Sequence, residues 1–301
     1  MILPKFVIAG GMPAGTSFLS TALKNHPEIY LPKVQRPEPN FFHYTWKYRK
    51  GIEWYSKTLF SDVSNEKVIG ERSSLLLTSK VAIQRMKKHI PDVKLIFCLR
   101  NPIERAWASY RYTVLEGLEQ LSFSEAIEQE ESRRQNAVGK WKEVLPYAYV
   151  ERSHYADQLS KFISVFGREK LFLICSEEFG NKPQETLSEI CQFIGVNPNF
   201  EFELPAIFSS PTVINPALQK ELRSYFKDRF ADISECIRKE KNLDQLIKNT
   251  QDKTNVLRLR KNLKTGKDPL DETDRKKLRS LLGREIQRIG EIVDFSIDHW
   301  T

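Results

Sequence analysis

Residues 6–19 read Phe6-Val-Ile-Ala-Gly-Gly-Met-Pro-Ala-Gly-Thr-Ser-Phe-Leu19. An apolar run typical of a β-strand stops at two glycines, and a segment with the apolar spacing of a helix begins at Thr16. Loop N–H groups, the Thr16 and Ser17 hydroxyls and the helix N-terminus can point their donors at one anion. The stretch therefore predicts a strand–loop–helix that binds a phosphate-like group through Gly11, Met12, Pro13, Ala14, Gly15, Thr16 and Ser17.

Strand-like and helical segments alternate along the first two thirds of the chain. The strand-like runs are Lys5–Ala9, Lys67–Glu71, Lys94–Leu99 and Lys170–Cys175. The helical patterns are Thr16–Asn25, Ser79–His89, Ile103–Glu116, Phe123–Arg133, Val150–Phe166 and Pro183–Ile194. This alternation predicts an α/β fold with a central parallel β-sheet flanked by helices on both faces. Ligands of such sheets bind at the carboxyl ends of the strands, so the loops after Ala9, Glu71 and Leu99 should share one crevice.

Composition restricts the class of protein. The 301 residues are 40% hydrophobic and 29% charged, which is ordinary for a globular protein, and the net charge of +8 favours anionic ligands only weakly. Long basic runs interleaved with aromatic residues are missing, so no nucleic-acid partner is expected. The first strand follows Met1 closely and no apolar run approaches about 20 residues, which predicts a cytoplasmic protein without a membrane partner.

The four cysteines are Cys98, Cys175, Cys191 and Cys236. None belongs to a Cys-x-x-Cys pair, and the first two lie in apolar runs typical of buried strands. We expect reduced thiols and no metal site.

Two further clusters contain candidate functional residues. Arg100 ends an apolar strand, where a guanidinium is well placed for a bidentate phosphate contact; the alternative is a salt bridge with an acid such as Glu71. Glu38 lies between two prolines and precedes two phenylalanines, so it is either a general base or a surface acid. His43 is a further catalytic candidate, although a lone histidine is more often structural.

The last third of the chain is more polar. Leu218–Lys239 has a helical pattern, and 253–267 carries six basic residues and no acid. This basic segment is either a disordered surface loop or a lid over an anionic ligand. Asp271–Ile292 predicts a final helix with Asp271 as its N-cap. The C-terminal part is therefore expected to be helical.

In their order and spacing, these clusters resemble the sulfotransferases that use 3′-phosphoadenosine-5′-phosphosulfate (PAPS), in the heparan-sulfate-type and bacterial branch. The loop with His26-Pro27 resembles the family's 5′-phosphosulfate loop, and 99–110 its 3′-phosphate motif. Further similar segments are Glu38–Phe42, Gly70–Ser73, Tyr155–Leu159, Phe166–Lys170, Ile190–Val196, Lys264–Asp271 and Asp294–Trp300.

The resemblance implies a P-loop-like fold and transfer of SO₃ from PAPS to a hydroxyl or amine, releasing adenosine 3′,5′-bisphosphate, with Glu38 as base. It implies one domain, with a PAPS-binding α/β core at 1–200 and a helical part at 201–301 that carries the basic lid 253–267. The acceptor would be a small molecule or a glycan, within secondary metabolism. The 3′-phosphate would be held by Arg100, Ser109, Lys264, Gly266 and Lys267.

Three positions depart from the family pattern. Pro13 stands where the family has a Lys or Arg beside the leaving phosphate. Either another cation replaces it, with Lys33, Arg36 and Arg72 as candidates, or the acceptor is an unusually good nucleophile, or PAPS is bound without efficient turnover. Ala108 occupies the usual place of the phosphate-binding serine, and Ser109 lies about 100° further around a helix. Pro37 replaces the lysine that often precedes the glutamate.

Two other classes compete with a sulfotransferase. Pro13 also suits a protein that binds PAPS or another nucleotide with little turnover. A P-loop kinase is disfavoured, because the loop lacks the Gly-Lys-Ser/Thr of a Walker A motif and no Walker B-like acid is evident. The pattern predicts neither the acceptor nor the oligomeric state.

Overall fold

The computed structural model describes residues 1–33, 38–206, 210–239, 252–266 and 268–300. Its main sheet has five parallel strands in the order β2-β3-β1-β4-β5. The strands are β1 (Phe6–Gly10), β2 (Ile29–Tyr30), β3 (Val68–Arg72), β4 (Lys94–Leu99) and β5 (Leu171–Cys175). This order confirms the parallel sheet that the alternating pattern predicts, and it makes β3 and β4 the two neighbours of β1.

Each predicted helical segment contains helix with shifted ends, and the structure adds helices that the pattern did not predict, at Thr45–Tyr48, Ile52–Phe60, Trp141–Val144 and Ser176–Asn181. Phe123–Arg133 forms two short helices that break at Gln129, and the helix predicted from Val150 begins at Tyr155 after a 3₁₀ turn. The helices are α1 (Thr16–Leu23), α2 (Thr45–Tyr48), α3 (Ile52–Phe60), α4 (Lys80–His89), α5 (Pro102–Leu115), α6 (Phe123–Glu128), α7 (Glu130–Gln135), α8 (Trp141–Val144), α9 (Tyr155–Phe166), α10 (Ser176–Asn181), α11 (Pro183–Ile194), α12 (Pro216–Phe226), α13 (Phe230–Lys239), α14 (Lys253–Lys261) and α15 (Glu272–Gly290).

Helices cover both faces of the sheet. Side chains alternate along a strand, so neighbouring residues of β4 point to opposite faces. Ile96 and Cys98 belong to one apolar cluster with residues of α1 and α11, whereas the ring of Phe97 lies 5.0 Å from that of Phe162 in α9. Because both faces are buried, the central strands are continuously apolar rather than alternating.

The chain divides into two compact units. The sheet unit comprises 1–105, 151–205 and 279–301, and the second unit comprises 106–150 and 206–278. The expected single domain, with an α/β core at 1–200 and a helical part at 201–301, stays a prediction.

The second unit corrects one expectation about the basic segment. Residues 253–261 form helix α14, not a disordered loop, because Val256 and Leu259 are fully buried in a cluster with α12 and α13. The helix predicted over Leu218–Lys239 is broken into α12 and α13 by a 3₁₀ turn, in which Lys227 adopts a φ of 50°. The second unit also contains two short antiparallel strands, β6 (Thr212–Val213) and β7 (Leu263–Lys264).

Several smaller expectations can be compared with the structure. Asp271 Oδ1 accepts a hydrogen bond from the Asp274 N–H at 2.9 Å, as expected of an N-cap. The four cysteine thiols are free, and burial raises the pKa of Cys98 to about 12 and that of Cys191 to about 11. Among the described residues, the helices are too short or too polar for any of them to span a bilayer.

Candidate functional site

The loop between β1 and α1 has the form that the sequence predicts. Gly15 has a φ of +82°, a left-handed conformation that glycine adopts without strain, and the chain turns there into α1. The Met12–Pro13 peptide bond is cis. Thr16 is buried at the first position of the helix, and Ser17 next to it is exposed. The first N–H groups of a helix lack intrahelical partners, so this end of α1 can bind an anion.

Gly11 is where the loop packs most closely against the rest of the sheet unit. A Cβ atom built at Gly11 would lie 2.4 Å from the hydroxyl oxygen of Tyr155, the first residue of α9. Tyr155 is fully buried and cannot move aside without disturbing the core. Glycine is therefore required here for the loop to approach the helix.

We expect Gly11→Ala to lower the free energy of unfolding by about 1–3 kcal/mol, because the added methyl group overpacks the contact with Tyr155. Gly283→Ala, in helix α15, is the matched control, since a Cβ at Gly283 would meet no atom of another element within 4 Å. The control should be neutral or stabilising by about 0.4–1 kcal/mol. Urea denaturation of both variants measures the difference, and equal stability of the two would show that the close approach is not required.

Arg105 supports the same loop and was not selected from the sequence. Its side chain is fully buried, Nη1 donates to the Met12 carbonyl at 3.1 Å, and Nε donates to Ser153 Oγ at 2.7 Å. Its only sequence signal is a charged residue on the buried side of α5. The buried guanidinium holds the backbone of the loop in place at the Met12 carbonyl.

Arg72 joins the loop to the candidate base. Its Nη1 donates to Ser17 Oγ at 2.6 Å, and its Nε lies 3.2 Å from Glu38 Oε1. Arg72 is the last residue of β3, the neighbour of β1, and its side chain is only 12% exposed. The loops after β1 and β3 therefore meet, as predicted, and they bring a cation beside the anion loop.

The other carboxylate oxygen of Glu38 is also held. Oε2 accepts hydrogen bonds from the Ser74 N–H at 2.9 Å and from Ser74 Oγ at 2.6 Å. The backbone carbonyls of Glu38 and Pro39 both accept from Lys47 Nζ at 2.7 Å. The sequence reasoning missed these contacts of Ser74 and Lys47, because nothing in their local pattern distinguishes the two residues from surface polar residues.

Glu71 is a second carboxyl group close to Glu38, and it is fully buried in β3. Ser73 Oγ donates to its Oε1 at 3.1 Å. Burial, with a smaller contribution from the negative charge of Glu38, raises the pKa of Glu71 to about 7, although the hydrogen bond from Ser73 favours the ionised form. Glu71 therefore accepts a hydrogen bond from Ser73, in place of the salt bridge with Arg100 that the sequence offered as an alternative.

The raised pKa of Glu71 predicts a pH-dependent stability. At pH values between 4.5, the ordinary pKa of this carboxyl group, and about 7, its pKa in the folded protein, the native state retains a proton that the unfolded state has lost. The native state is therefore stabilised relative to the unfolded state at low pH, and this contribution of about 3 kcal/mol is lost as pH rises through 7. Glu71→Gln should abolish this contribution.

Urea denaturation of wild type and Glu71→Gln across this pH range measures the effect as the difference between their unfolding free energies. Titrating groups that do not interact with Glu71 cancel in that difference. Glu53→Gln, at an exposed position of α3, is the control, and its difference from wild type should stay constant. A constant difference for Glu71→Gln as well would contradict the buried, protonated carboxyl.

The remaining catalytic candidates lie in other surroundings. Lys33 is on the surface, with a side chain that is 88% exposed and Nζ 3.9 Å from Asp62 Oδ2. His43 is buried, and its ring centroid lies 4.8 Å from that of Tyr44. Arg36 falls outside the described residues. The role of each stays a prediction.

The candidates for the 3′-phosphate are distributed over both units. Arg100 follows β4 directly in the sheet unit and is half-buried. Ser109, Lys264 and Gly266 belong to the second unit, and Lys267 falls outside the described residues. Their part in binding stays a prediction.

Within the second unit, α5 is connected to the chain that follows β7. Trp107 Nε1 donates to the Asp268 carbonyl at 2.8 Å, and Arg111 Nε lies 3.3 Å from Asp268 Oδ2. Arg111 Nη2 also donates to the Ser210 carbonyl at 2.9 Å. These contacts fix the backbone beside Gly266 relative to the helix that carries Ser109.

The family can be decided by comparison with known proteins. A model of the sulfotransferase domain family matches residues 3–228. The chain belongs to this family. Membership confirms the resemblance inferred from the motifs, and sulfuryl transfer is the class of reaction for which the family is named.

Curated relatives agree with this assignment. The membrane-associated sulfotransferase kil1 of Dictyostelium discoideum is 30% identical over 116 residues, which are 38% of this chain and 24% of that protein. The bifunctional heparan sulfate N-deacetylase/N-sulfotransferase 4 of Mus musculus is 26% identical over 211 residues, 66% of this chain and 23% of that protein. The sulfotransferase chain thus spans about a quarter of the length of these relatives.

A solved structure has the same fold. The sulfotransferase from Alicyclobacillus acidocaldarius superimposes with a TM-score of 0.70 at 23% identity, covering 100% of this chain and 99% of that one. This likeness confirms the predicted central parallel sheet with flanking helices.

Proposed function

We propose that this sulfotransferase transfers the sulfuryl group of PAPS to a hydroxyl or amine of a small-molecule or glycan-like acceptor. The observation that supports this most directly is the contact of Arg72 with both Ser17 and Glu38. In this contact, the Arg72 guanidinium lies between the loop proposed to bind the anion and the carboxylate proposed as base. Sulfuryl transfer needs these three groups, because it moves an anionic group and takes a proton from the acceptor.

The donor would bind by its phosphosulfate end at the N-terminus of α1. The N–H groups of the first turn and the Thr16 and Ser17 hydroxyls supply donors, and Gly15 allows the left-handed turn into α1. Arg100, at the end of the adjacent strand β4, would bind the 3′-phosphate as a bidentate partner. Arg105, which donates to the Met12 carbonyl, and Tyr155, which packs against Gly11, would keep the loop in place when the donor leaves.

Catalysis would consist of one in-line transfer. Glu38 takes the proton of the acceptor hydroxyl or amine, whose lone pair forms the new bond to sulfur. The bond between sulfur and the bridging oxygen of the donor breaks, and its electron pair stays on the 5′-phosphate of adenosine 3′,5′-bisphosphate. Arg72 would neutralise the charge that develops on that phosphate, which is the role that Pro13 cannot fill. No metal takes part in these steps.

A protein that binds PAPS or a related nucleotide with little turnover is the second candidate. Pro13 favours it, because proline removes both a cation and an N–H donor from the loop. The two candidates agree on binding and differ only in transfer, so they can be separated by experiment.

Nucleotide binding is tested by thermal denaturation with adenosine 3′,5′-bisphosphate and with ATP. At 100 times its Kd, a ligand stabilises the native state by about 2.7 kcal/mol, so the bisphosphate should raise the Tm and ATP should not. Arg100→Ala should raise the Kd of the bisphosphate about 10-fold or more, since a charge-assisted contact contributes roughly 1.5–3 kcal/mol. Arg49→Ala, at an exposed position, should leave binding unchanged.

Stabilisation by ATP alone would reject the PAPS-dependent sulfotransferase. If the bisphosphate binds, incubation with PAPS labelled in the sulfuryl group and a panel of hydroxyl and amine acceptors tests transfer. Labelled product supports the sulfotransferase, and tight binding without product for every acceptor favours the non-catalytic protein.

A further inference from the structure

Three potential metal ligands meet at the carboxyl end of β5, outside the cluster formed by Arg72 and Glu38. Cys175 is the last residue of β5, Glu177 lies in α10, and His299 lies in the 3₁₀ turn Asp298–Trp300. The Cys175 thiol is 3.3 Å from Glu177 Oε2 and 3.6 Å from His299 Nε2. All three ligand atoms lie within 4.8 Å of one another, and all belong to the sheet unit.

The two separations from the Cys175 sulfur are those of a tetrahedral zinc site. Zinc binds sulfur at about 2.3 Å and nitrogen or oxygen at about 2.0–2.2 Å. At tetrahedral angles, those bond lengths put the sulfur roughly 3.6 Å from each of the other two ligand atoms. The observed distances of 3.6 Å and 3.3 Å match this spacing closely, so little movement of the side chains is needed to receive a cation.

The chemistry of the donors also suits zinc. A thiolate, an imidazole and a carboxylate form a mixed set of borderline ligands, whereas calcium and magnesium prefer oxygen ligands alone. Cys175 is only 2% exposed, and His299 is exposed. The site is therefore anchored in the core and open to solvent on the histidine side, which leaves a route for the ion and room for water as the fourth ligand.

Neighbouring hydrogen bonds orient two of the ligands. The Asn101 N–H donates to Glu177 Oε1 at 2.9 Å, and the Ser176 hydroxyl donates to Oε2, the oxygen beside the thiol, at 3.2 Å. Asn101 Nδ2 donates to the Trp300 carbonyl at 3.2 Å and so holds the turn that carries His299. Outer contacts of this kind fix the ligands of metal sites in proteins.

We propose that Cys175, Glu177 and His299 bind one Zn²⁺ ion, with a water molecule in the fourth position. The ion would link the turn 298–300 to the end of β5 and, through Asn101, to the loop that follows Arg100. The site is independent of the proposed sulfuryl transfer. Local sequence could not indicate it, since Cys175 and His299 are 124 residues apart.

Titration of the reduced full-length protein with Co²⁺ tests the site, because cobalt occupies zinc sites and reports thiolate ligation by a charge-transfer absorption. We expect one equivalent to bind with that absorption and Zn²⁺ to displace it. Zn²⁺ should also raise the Tm. Cys175→Ser and His299→Gln should abolish both effects. Cys236→Ser, which removes a partly exposed thiol of the second unit, should change neither.

Circular dichroism verifies that each variant is folded. If Cys175→Ser fails to fold, His299→Gln decides the result, since its side chain is exposed. The proposal is overturned if the folded wild type gives no thiolate-to-cobalt absorption, if a folded Cys175→Ser or His299→Gln protein keeps it, or if Cys236→Ser alone loses it. None of these outcomes bears on nucleotide binding or transfer.

Discussion

Arg72→Ala is expected to lower kcat by roughly 10²–10³ while the protein still binds adenosine 3′,5′-bisphosphate. Pro13 leaves the anion loop without its usual cation, and Arg72 contacts both Ser17 of that loop and Glu38. Its removal takes away the charge that would neutralise the leaving phosphate. It also releases one oxygen of the carboxylate. The loss should therefore appear mainly in kcat, measured with labelled PAPS at saturating donor, and only weakly in the Kd of the product nucleotide.

Lys33→Ala is the matched control, because Lys33 is a cation of the same sheet unit that lies exposed beside Asp62. It should retain nearly full activity. Arg72→Lys keeps the charge, but lysine lacks the planar guanidinium fork that contacts Ser17 and Glu38 at once. The kcat of Arg72→Lys should therefore lie between those of wild type and Arg72→Ala. If Lys33→Ala loses turnover and Arg72→Ala does not, the cation opposite Pro13 is Lys33 and the assignment of Arg72 is wrong.

Glu38→Gln is expected to lower kcat by roughly 10²–10⁴, the usual contribution of a positioned general base. The amide has the shape of the carboxylate and can still accept from Ser74, so the fold and the nucleotide affinity should be preserved. It can no longer accept the proton of the acceptor, and the ion pair with Arg72 is lost. Single-turnover transfer with preloaded PAPS separates this chemical step from donor binding.

Glu53→Gln, at an exposed position of α3, controls for the loss of one negative charge and should be fully active. A second readout is the dependence of the single-turnover rate on the acidity of the acceptor group. Transfer to an acceptor that is already deprotonated should be much less affected by Glu38→Gln. Full activity of Glu38→Gln with an ordinary alcohol would remove Glu38 from the role of base.

Much of the sheet unit follows from local sequence. Four apolar runs alternating with amphipathic helices predict the parallel sheet. The loop at 11–17 predicts its anion-binding corner, because a tight strand-to-helix turn has few alternative sequences. Asp271 was correctly predicted as an N-cap for the same reason, since its partner is three residues away. Such features depend on neighbours in the chain.

Expectations based on polarity alone were less reliable. The basic segment after residue 252 looked like a loop, yet two apolar residues one turn apart, Val256 and Leu259, are enough to bury one face of α14. The single helix predicted before it is broken at Lys227. In α14, packing against other helices outweighed the local preference.

Sequence by itself determined the family, the strand–loop–helix and the identity of Glu38 and Arg100 as candidates, because these depend on short ordered patterns. Only the tertiary structure decided that Arg72, not exposed Lys33, lies beside the loop that lacks a cation. That outcome depends on β3 being the neighbour of β1, and strand order is set by the packing of the whole sheet. For the same reason, Arg105 beneath Met12 and His299 beside Cys175 became visible only when residues far apart in the chain were brought within bonding distance.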